Sequence, residues 1–154
     1  SEKEVMLNLK NPFDETRLCI SPALIYEDGI YRMWCSSAED FEGKYRTINY
    51  YEMIDGGMME LKSKHHLKKG TISHLDVIHE NSKYWLIGNE VLIEGNPLKL
   101  YSFVSPVNDE YKYEGFFETQ KEAYMQVKLV EMQNKIERME HAMKDVLKLQ
   151  TPEW

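Results

Sequence analysis

The chain repeats itself. Residues 24–31, Leu-Ile-Tyr-Glu-Asp-Gly-Ile-Tyr, fall without a gap on residues 77–84, Val-Ile-His-Glu-Asn-Ser-Lys-Tyr, at a shift of 53. The same shift sets Arg32-Met33-Trp34 on Trp85-Leu86-Ile87 and residues 45–51 on 98–104. It also sets the turn Asp55-Gly56 on Asn108-Asp109. Few identities survive, but the order strand, turn, strand, loop, strand, turn, strand is kept in both copies. A period near 50 residues marks stacked, repeated units that share their cores. The clearest single stretch is 21–37, SPALIYEDGIYRMWCSS, in which Asp28-Gly29 separates two apolar runs. Asp-Gly is a favoured hairpin dipeptide because glycine accepts positive φ.

Each copy holds four short expected strands. They span 22–26, 31–36, 46–53 and 59–63 in the first copy. In the second they span 74–79, 83–90, 98–104 and 111–117. Four antiparallel strands per repeat form a propeller blade. One blade cannot bury both its faces, and two blades cannot close a ring. The expected organisation is therefore 1–20 as the end of a preceding blade or a linker, 21–117 as two blades, 118–150 as a helix and 151–154 as a tail. Val5–Leu9 is a candidate strand that Asn11-Pro12-Phe13-Asp14 breaks. The chain begins at Ser1, as expected of a piece of something longer.

After Gly115 the period changes. Residues 116–150 contain no Gly or Pro and are rich in Glu, Lys, Gln and Met, which are good helix formers. Apolar residues recur at Met125, Leu129, Met132, Ile136, Met139, Met143 and Val146. Alternating steps of four and three make a heptad seam, with Leu129, Ile136 and Met143 at a and Met132, Met139 and Val146 at d. Thr119 with Glu122 forms a capping box, and Thr151-Pro152 stops the helix. Thirty helical residues reach about 45 Å. A single helix packed on its own sheet is the competing reading, but such helices carry a broader apolar face. A self-associating coiled coil is expected, and the methionine-rich seam does not fix the number of strands.

Composition limits the partners. The net charge of −7 opposes nucleic acid and anionic membrane, both of which need clustered Lys and Arg. Residues 62–69 hold the only basic run, Lys62-Ser63-Lys64-His65-His66 followed by Lys68-Lys69, read here as a solvated loop. Cys19 and Cys35 form no metal motif, and two free, mostly buried thiols are expected. No apolar run approaches the roughly 18 residues of a membrane span. The histidines His65, His66, His74 and His79 lack metal-ligand spacing. No metal and no cofactor are expected.

SPALIYEDGIYRMWCSS, followed by KYRTINYYEMIDGG, resembles a blade of the five-bladed β-propeller glycosidase superfamily, the arabinanase, invertase and mannoside-phosphorylase group. SHLDVIHENSKYWLIGNE resembles the blade after it. The resemblance covers about residues 20–113. It implies a fold that is mainly β, part of a five-bladed propeller. Enzymes of that group use an Asp base or nucleophile and a Glu acid facing the central channel, as glycoside hydrolysis requires. Here Ser21-Pro22 stands where an Asp-Pro could sit. Glu94-Gly95-Asn96-Pro97 faintly echoes the acid motif but reads as a hairpin turn. A complete catalytic pair is not visible, so no enzyme activity is expected. Propeller blades joined to a coil also resemble trimeric tail receptor-binding proteins of phages of Gram-positive bacteria, which bind teichoic acids and similar glycans. In some of those the helices precede the propeller, whereas here the helix follows it.

In a propeller the innermost strands, here 22–26 and 74–79, line the channel. His74 and Asp76 lie two residues apart, on one face by strand alternation, and Ser21 sits at the other strand entrance. These three are the candidate ligand-binding residues, with a His–Asp hydrogen bond that only satisfies the channel wall as the plainer alternative. Trp34, Trp85, Tyr50 and Phe103 suit core positions between blades. Tyr111 and Tyr113 are expected to be partly exposed. The resulting expectation is a homotrimeric virion tail or fibre module, with a parallel coil through Leu129, Met132, Ile136, Met139, Met143 and Val146. Its partners would be cell-wall glycan at the host surface and other tail proteins. A fragment of a propeller glycoside hydrolase or phosphorylase is the first alternative, and a structural connector without ligand the second.

Overall fold

The structure, a computed structural model, describes residues 19–38, 45–54 and 56–150. The expected strand and break within 1–18 and the tail at 151–154 lie outside these residues. Among the described residues eight strands and one helix follow in chain order. They are β1 (Cys19–Glu27), β2 (Ile30–Ser37), β3 (Thr47–Ile54), β4 (Glu60–His66), β5 (Ser73–Glu80), β6 (Lys83–Asn89), β7 (Leu98–Phe103), β8 (Lys112–Phe117) and α1 (Gln120–Gln150). The strands form two four-stranded antiparallel meanders, β1-β2-β3-β4 and β5-β6-β7-β8. All eight expected strands are present. The basic run is corrected: Glu60–His66 is strand β4 rather than loop.

Two-residue turns open both blades. Asp28-Gly29 has φ of 53° and 77°, and Asn81-Ser82 has 51° and 66°. Positive φ at both central residues is the hairpin geometry that matches strand twist. Asp, Gly and Asn tolerate it, whereas Ser82 must hold a left-handed backbone with a Cβ, at roughly 1–2 kcal/mol. Ser82→Gly is therefore expected to raise the thermal midpoint by about 2–8 °C, and calorimetry on the two proteins would show it. Bulges also recur: register shifts between Ile20 and Ala23 in β1, and between Ser73 and Asp76 in β5.

The gapless repeat holds only for the first hairpin of each blade. Trp34 pairs with Tyr50, and its counterpart 53 residues on, Ile87, pairs with Leu100. Tyr50 thus corresponds to Leu100, a shift of 50. The outer bulges agree, between Tyr50 and Tyr51 and between Leu100 and Tyr101. The difference of three is odd, and an odd slip moves every side chain to the opposite face. The expected match of Tyr50 with Phe103 had that consequence.

The blades stack face to face, with β1 and β2 against β5. The interface is Trp34, Ile48 and Tyr50 from the first blade with Val77, Tyr84, Leu86, Tyr101, Phe103 and Tyr111 from the second. Trp34 Nε1 donates to the Tyr111 hydroxyl at 3.0 Å. Tyr111 stacks on Phe103 at 3.7 Å and on His65 at 3.6 Å. Tyr111 is buried, which corrects its expected partial exposure, while Tyr113 is exposed as expected. Trp34, Tyr50 and Phe103 are in the interface, and Trp85 lies on the far side of the second blade. The first blade's other face buries Met33, Cys35, Tyr51, Met53 and Met59. Cys35 is disulfide-bonded, which corrects the expected free thiols. The β1–β2 register sets the backbone of Cys19 opposite Ser37, two residues from Cys35.

On the second blade's far face, Trp85, Ile87 and Leu100 pack against Ala123 and Val127 of α1. Ile87 and Leu100 are the counterparts of Trp34 and Tyr50, which the first blade uses to hold the second. The start of α1 therefore occupies the face on which a further blade would stack. Thr119 caps the helix: its hydroxyl accepts from the Glu122 backbone N–H at 3.2 Å, and a Glu122 carboxylate oxygen accepts from the Glu118 N–H at 3.2 Å.

Candidate functional site

The strand entrances differ from their sequence pattern. His74 lies within the β5 bulge with φ of 52°, and burial still alternates from Ser73 to Val77. Both residues are exposed. Asp76 turns to the helix: its Oδ2 accepts from the Tyr124 hydroxyl at 3.0 Å and from Gln120 Nε2 at 3.2 Å. Lys128 adds an ion pair to Glu80 at 2.7 Å. Asp76 thus anchors α1. The Ser21 side chain lies outside the described residues. Glu94-Gly95-Asn96-Pro97 forms the expected turn, with Asn96 N–H donating to the Ile93 carbonyl at 3.1 Å.

A polar network joins the blades at the far end of β1. Glu27 accepts from Arg32 Nε at 2.8 Å, from His79 Nδ1 at 2.6 Å and from the Tyr84 hydroxyl. Arg32 also donates to the Tyr50 hydroxyl at 2.7 Å and to Glu52 at 3.1 Å. Burial opposes ionisation of Glu27, but the bonds from Tyr84 and His79 outweigh it and hold the carboxyl below its ordinary range. Every group has a partner, as a structural joint between blades requires.

A cleft of about 1130 Å³ lies between the outer parts of the two blades. It opens where Leu67–Ile72 carries the chain from β4 to β5. One wall is Arg46, Lys64, His65 and His66, and the other is Tyr111, Lys112, Tyr113 and Phe116. Lys68, Lys69, Leu92 and Ile93 stand at its rim, with Lys99, Tyr101 and Glu90 also lining it. Six Lys or Arg and two Glu line this one space, on a chain whose net charge is −7. Charge is thus segregated by the fold. Lys68 pairs with Glu110 at 3.0 Å, bridging the blades. Tyr113 and Phe116 are 47 % and 49 % exposed and meet edge to face at 5.7 Å.

One wall of the cleft is held by His65, whose Nε2 donates to the Pro106 carbonyl at 3.0 Å. Burial lowers the pKa of His65, and the Pro106 hydrogen bond only partly offsets it. Burial thus favours the neutral imidazole. Deeper in, Glu90 binds the Thr71 hydroxyl at 2.5 Å, the Thr71 N–H at 2.9 Å and the Leu92 N–H at 3.1 Å. Lys99 Nζ lies 3.4 Å from Glu90 and donates to the Thr71 carbonyl at 3.1 Å. This buried cluster ties both rim loops to β7. Among the described residues no three His, Cys, Asp or Glu are grouped to hold a metal ion, and no helix is long and apolar enough to cross a membrane. Sequence reasoning placed neither the cleft nor the Glu90–Lys99 cluster. The alternation of Lys62, Lys64 and His66 with Ser63 and His65 was the available signal for a cationic strand face.

The heptad residues lie elsewhere. Ala123 and Val127 are the buried helical residues. At 100° per residue, Leu129 is about 200° around from Val127, and Met125, Ile136 and Met143 fall on the same far side. α1 therefore packs on its sheet through one face and turns its seam away. Met125, Leu129, Met132, Ile136, Met139, Met143 and Val146 are between 51 % and 64 % exposed. The competing reading, a helix packed on its own sheet, holds for the start of α1, through Ala123 and Val127 and not through the seam.

No protein-family description matches the sequence, and no curated protein does. Solved structures do. An exo-β-1,3-galactanase from Phanerochaete chrysosporium, determined with β-1,3-galactotriose, is similar with a TM-score of 0.56 at 11 % identity, over 65 % of this chain and 26 % of that one. The GH43_1 enzyme from Xanthomonas citri, complexed with xylose, gives 0.52 at 14 %, over 64 % and 32 %. An exo-β-1,3-galactanase from Clostridium thermocellum gives 0.54 at 10 %, over 65 % and 24 %. The chain thus spans about a third or less of the length of these proteins. At these identities the likeness is one of fold: two adjacent blades of the β-propeller architecture found in GH43 glycosidases, followed by a helix.

Proposed function

We propose that the chain is an attachment module, in which two propeller-type blades are presented on a self-associating helical rod and bind cell-surface glycan. Three copies run parallel through the Leu129–Val146 seam, and the setting is the tail or fibre of a virion, beside other tail proteins and facing a teichoic-acid-like polymer. The observation that carries this reading is the exposed seam. Seven large apolar residues in heptad register are exposed along α1, away from its docked face, and a contiguous apolar stripe of that kind marks an association surface. The disulfide at Cys35 agrees with an oxidising, extracellular setting. Three weak sites held in register act with avidity, which adds about 10²–10⁴ to effective affinity.

Light scattering of the whole chain tests this. The expected mass is three times the 18.3 kDa chain. A monomer at micromolar concentration overturns the assembly. Intact trimers that bind no glycan on an array would leave a connector role. A glycosidase-type fragment is the second reading, favoured by the names of the similar structures. Against it stands α1, which covers the face a neighbouring blade would need, while the chemistry takes two carboxylates about 5–10 Å apart across a channel. Turnover of aryl glycosides by the purified chain would favour the enzyme.

A further inference from the structure

We propose that the cleft between the outer strands of the two blades is the glycan site, and that it takes an anionic oligosaccharide or polyol whose repeating units carry carboxylate or phosphate. The carbohydrate class rests on the attachment reading above; the site and its charge rest on the cleft itself. Its volume, about 1130 Å³, exceeds the roughly 300–1,000 Å³ of typical small-molecule sites, so it suits several linked units. Its lining combines two chemistries at one place. Exposed Arg46 and Lys69 line it with positive charge, joined by Lys112, which lies 3.7 Å from Glu114. Tyr113 and Phe116 offer exposed aromatic surface beside those cations, and such rings take the C–H face of a sugar while a cation takes its anionic group.

The two carboxylates present do not cancel this. Glu90 is committed to Thr71, Leu92 and Lys99, and Glu110 is paired with Lys68. The walls are also built rather than incidental. His65 is held by Pro106 and by the stack on Tyr111, and the Glu90–Lys99 cluster fixes the rim loops. A neutral sugar would bring no counter-charge to Arg46 and Lys69. A long nucleic acid would meet the repulsion of a chain with net charge −7, since its binding depends on neutralising many phosphates.

Titration calorimetry on the full chain tests the assignment with four probes: an oligogalacturonate, an oligo(glycerol phosphate), a neutral xylo-oligosaccharide and an oligo-dT. At least one of the two anionic glycan probes is expected to bind ten times or more tighter than the neutral one, and the tighter of the two identifies the anionic group. Arg46→Glu combined with Lys69→Glu changes exposed positions and is expected to weaken that binding tenfold or more, with the circular dichroism spectrum unchanged. Tyr113→Ala is expected to weaken it at least fivefold. Equal binding of the neutral probe, tighter binding of oligo-dT, no effect of the charge reversal, or no binding of any probe would each overturn the proposal. Light scattering on the same samples reports assembly separately, so a failed cleft and a failed trimer are told apart.

Discussion

Glu90→Ala is expected to cost about 3–5 kcal/mol of stability, the range for breaking a buried ion pair by removing one partner. Glu90 is 2 % exposed and Lys99 3 %. Without the carboxylate, the Lys99 ammonium stays buried with backbone carbonyls as its remaining oxygen partners, at Thr71 and, at 3.4 Å, Lys69. The Thr71 and Leu92 amides lose their acceptor at the same time. The double variant Glu90→Ala with Lys99→Met is expected to recover part of that loss, because the charge goes with its partner. Urea denaturation of both would decide it, and a double variant no better than Glu90→Ala would show that the pair is not the source. Burial opposes ionisation of Glu90, but hydrogen bonds from Thr71 and Leu92 and the Lys99 charge hold its carboxyl below the ordinary 4.5. Its folded pKa is therefore depressed. Its contribution is complete above about pH 4.5 and is lost as pH falls through the folded value. Glu90→Gln should remove that part of the acid limb. Gly70 belongs to the same cluster: it has φ of 78°, and a Cβ there would lie 2.1 Å from Glu90 Oε2, so Gly70→Ala is expected to disrupt it as well.

The strands were legible because short runs rich in β-branched and aromatic residues are separated by turn signals. Asp28-Gly29 and Asn81-Ser82 mark hairpins whatever the rest of the chain does. The helix was legible for the same reason, through a cap at Thr119 and an uninterrupted run of helix formers. The mismatch of 53 against 50 was not legible. Both alignments put aromatic on aromatic or apolar on apolar, and only pairing across the sheet shows which face a side chain takes. Asp76 could not be assigned from β5 alone, since its partners Gln120 and Tyr124 lie 44 and 48 residues further on. The cleft is likewise assembled from β4, β8 and a connecting loop, so its charge is spread over stretches that look like ordinary solvated surface. The seam was fully legible, because a heptad pattern is local. What the sequence could not say is that the docked face of α1 is a different one.

Ile136→Lys is expected to convert the assembly to monomers. Ile136 sits at a central a position and is 52 % exposed in the single chain, so the substitution disturbs no contact within the protomer. In the proposed coil it would bring three ammonium groups onto the axis, where burying an unpaired charge is prohibitive. A second effect follows from helix physics. Every residue from Met132 to Gln150 is exposed in the single chain, so within the chain this length has propensity alone to hold it, and in the proposed coil it would also have partner helices. Isolated helices shorter than about 12–15 residues are marginal in water, and this segment is only slightly longer. Loss of the partners should therefore fray it, lowering the dichroism at 222 nm together with the mass. The blades should stay folded, since Ala123 and Val127 hold α1 to the sheet through the opposite face. Asn134→Lys, at the heptad position furthest from the seam, serves as the control and should leave both readings unchanged. Binding to a glycan-coated surface should then fall about 10²–10⁴-fold with the loss of avidity, while the affinity of a single site in solution stays the same. If Ile136→Lys leaves the mass and the helical signal where they were, the seam does not join copies of this chain.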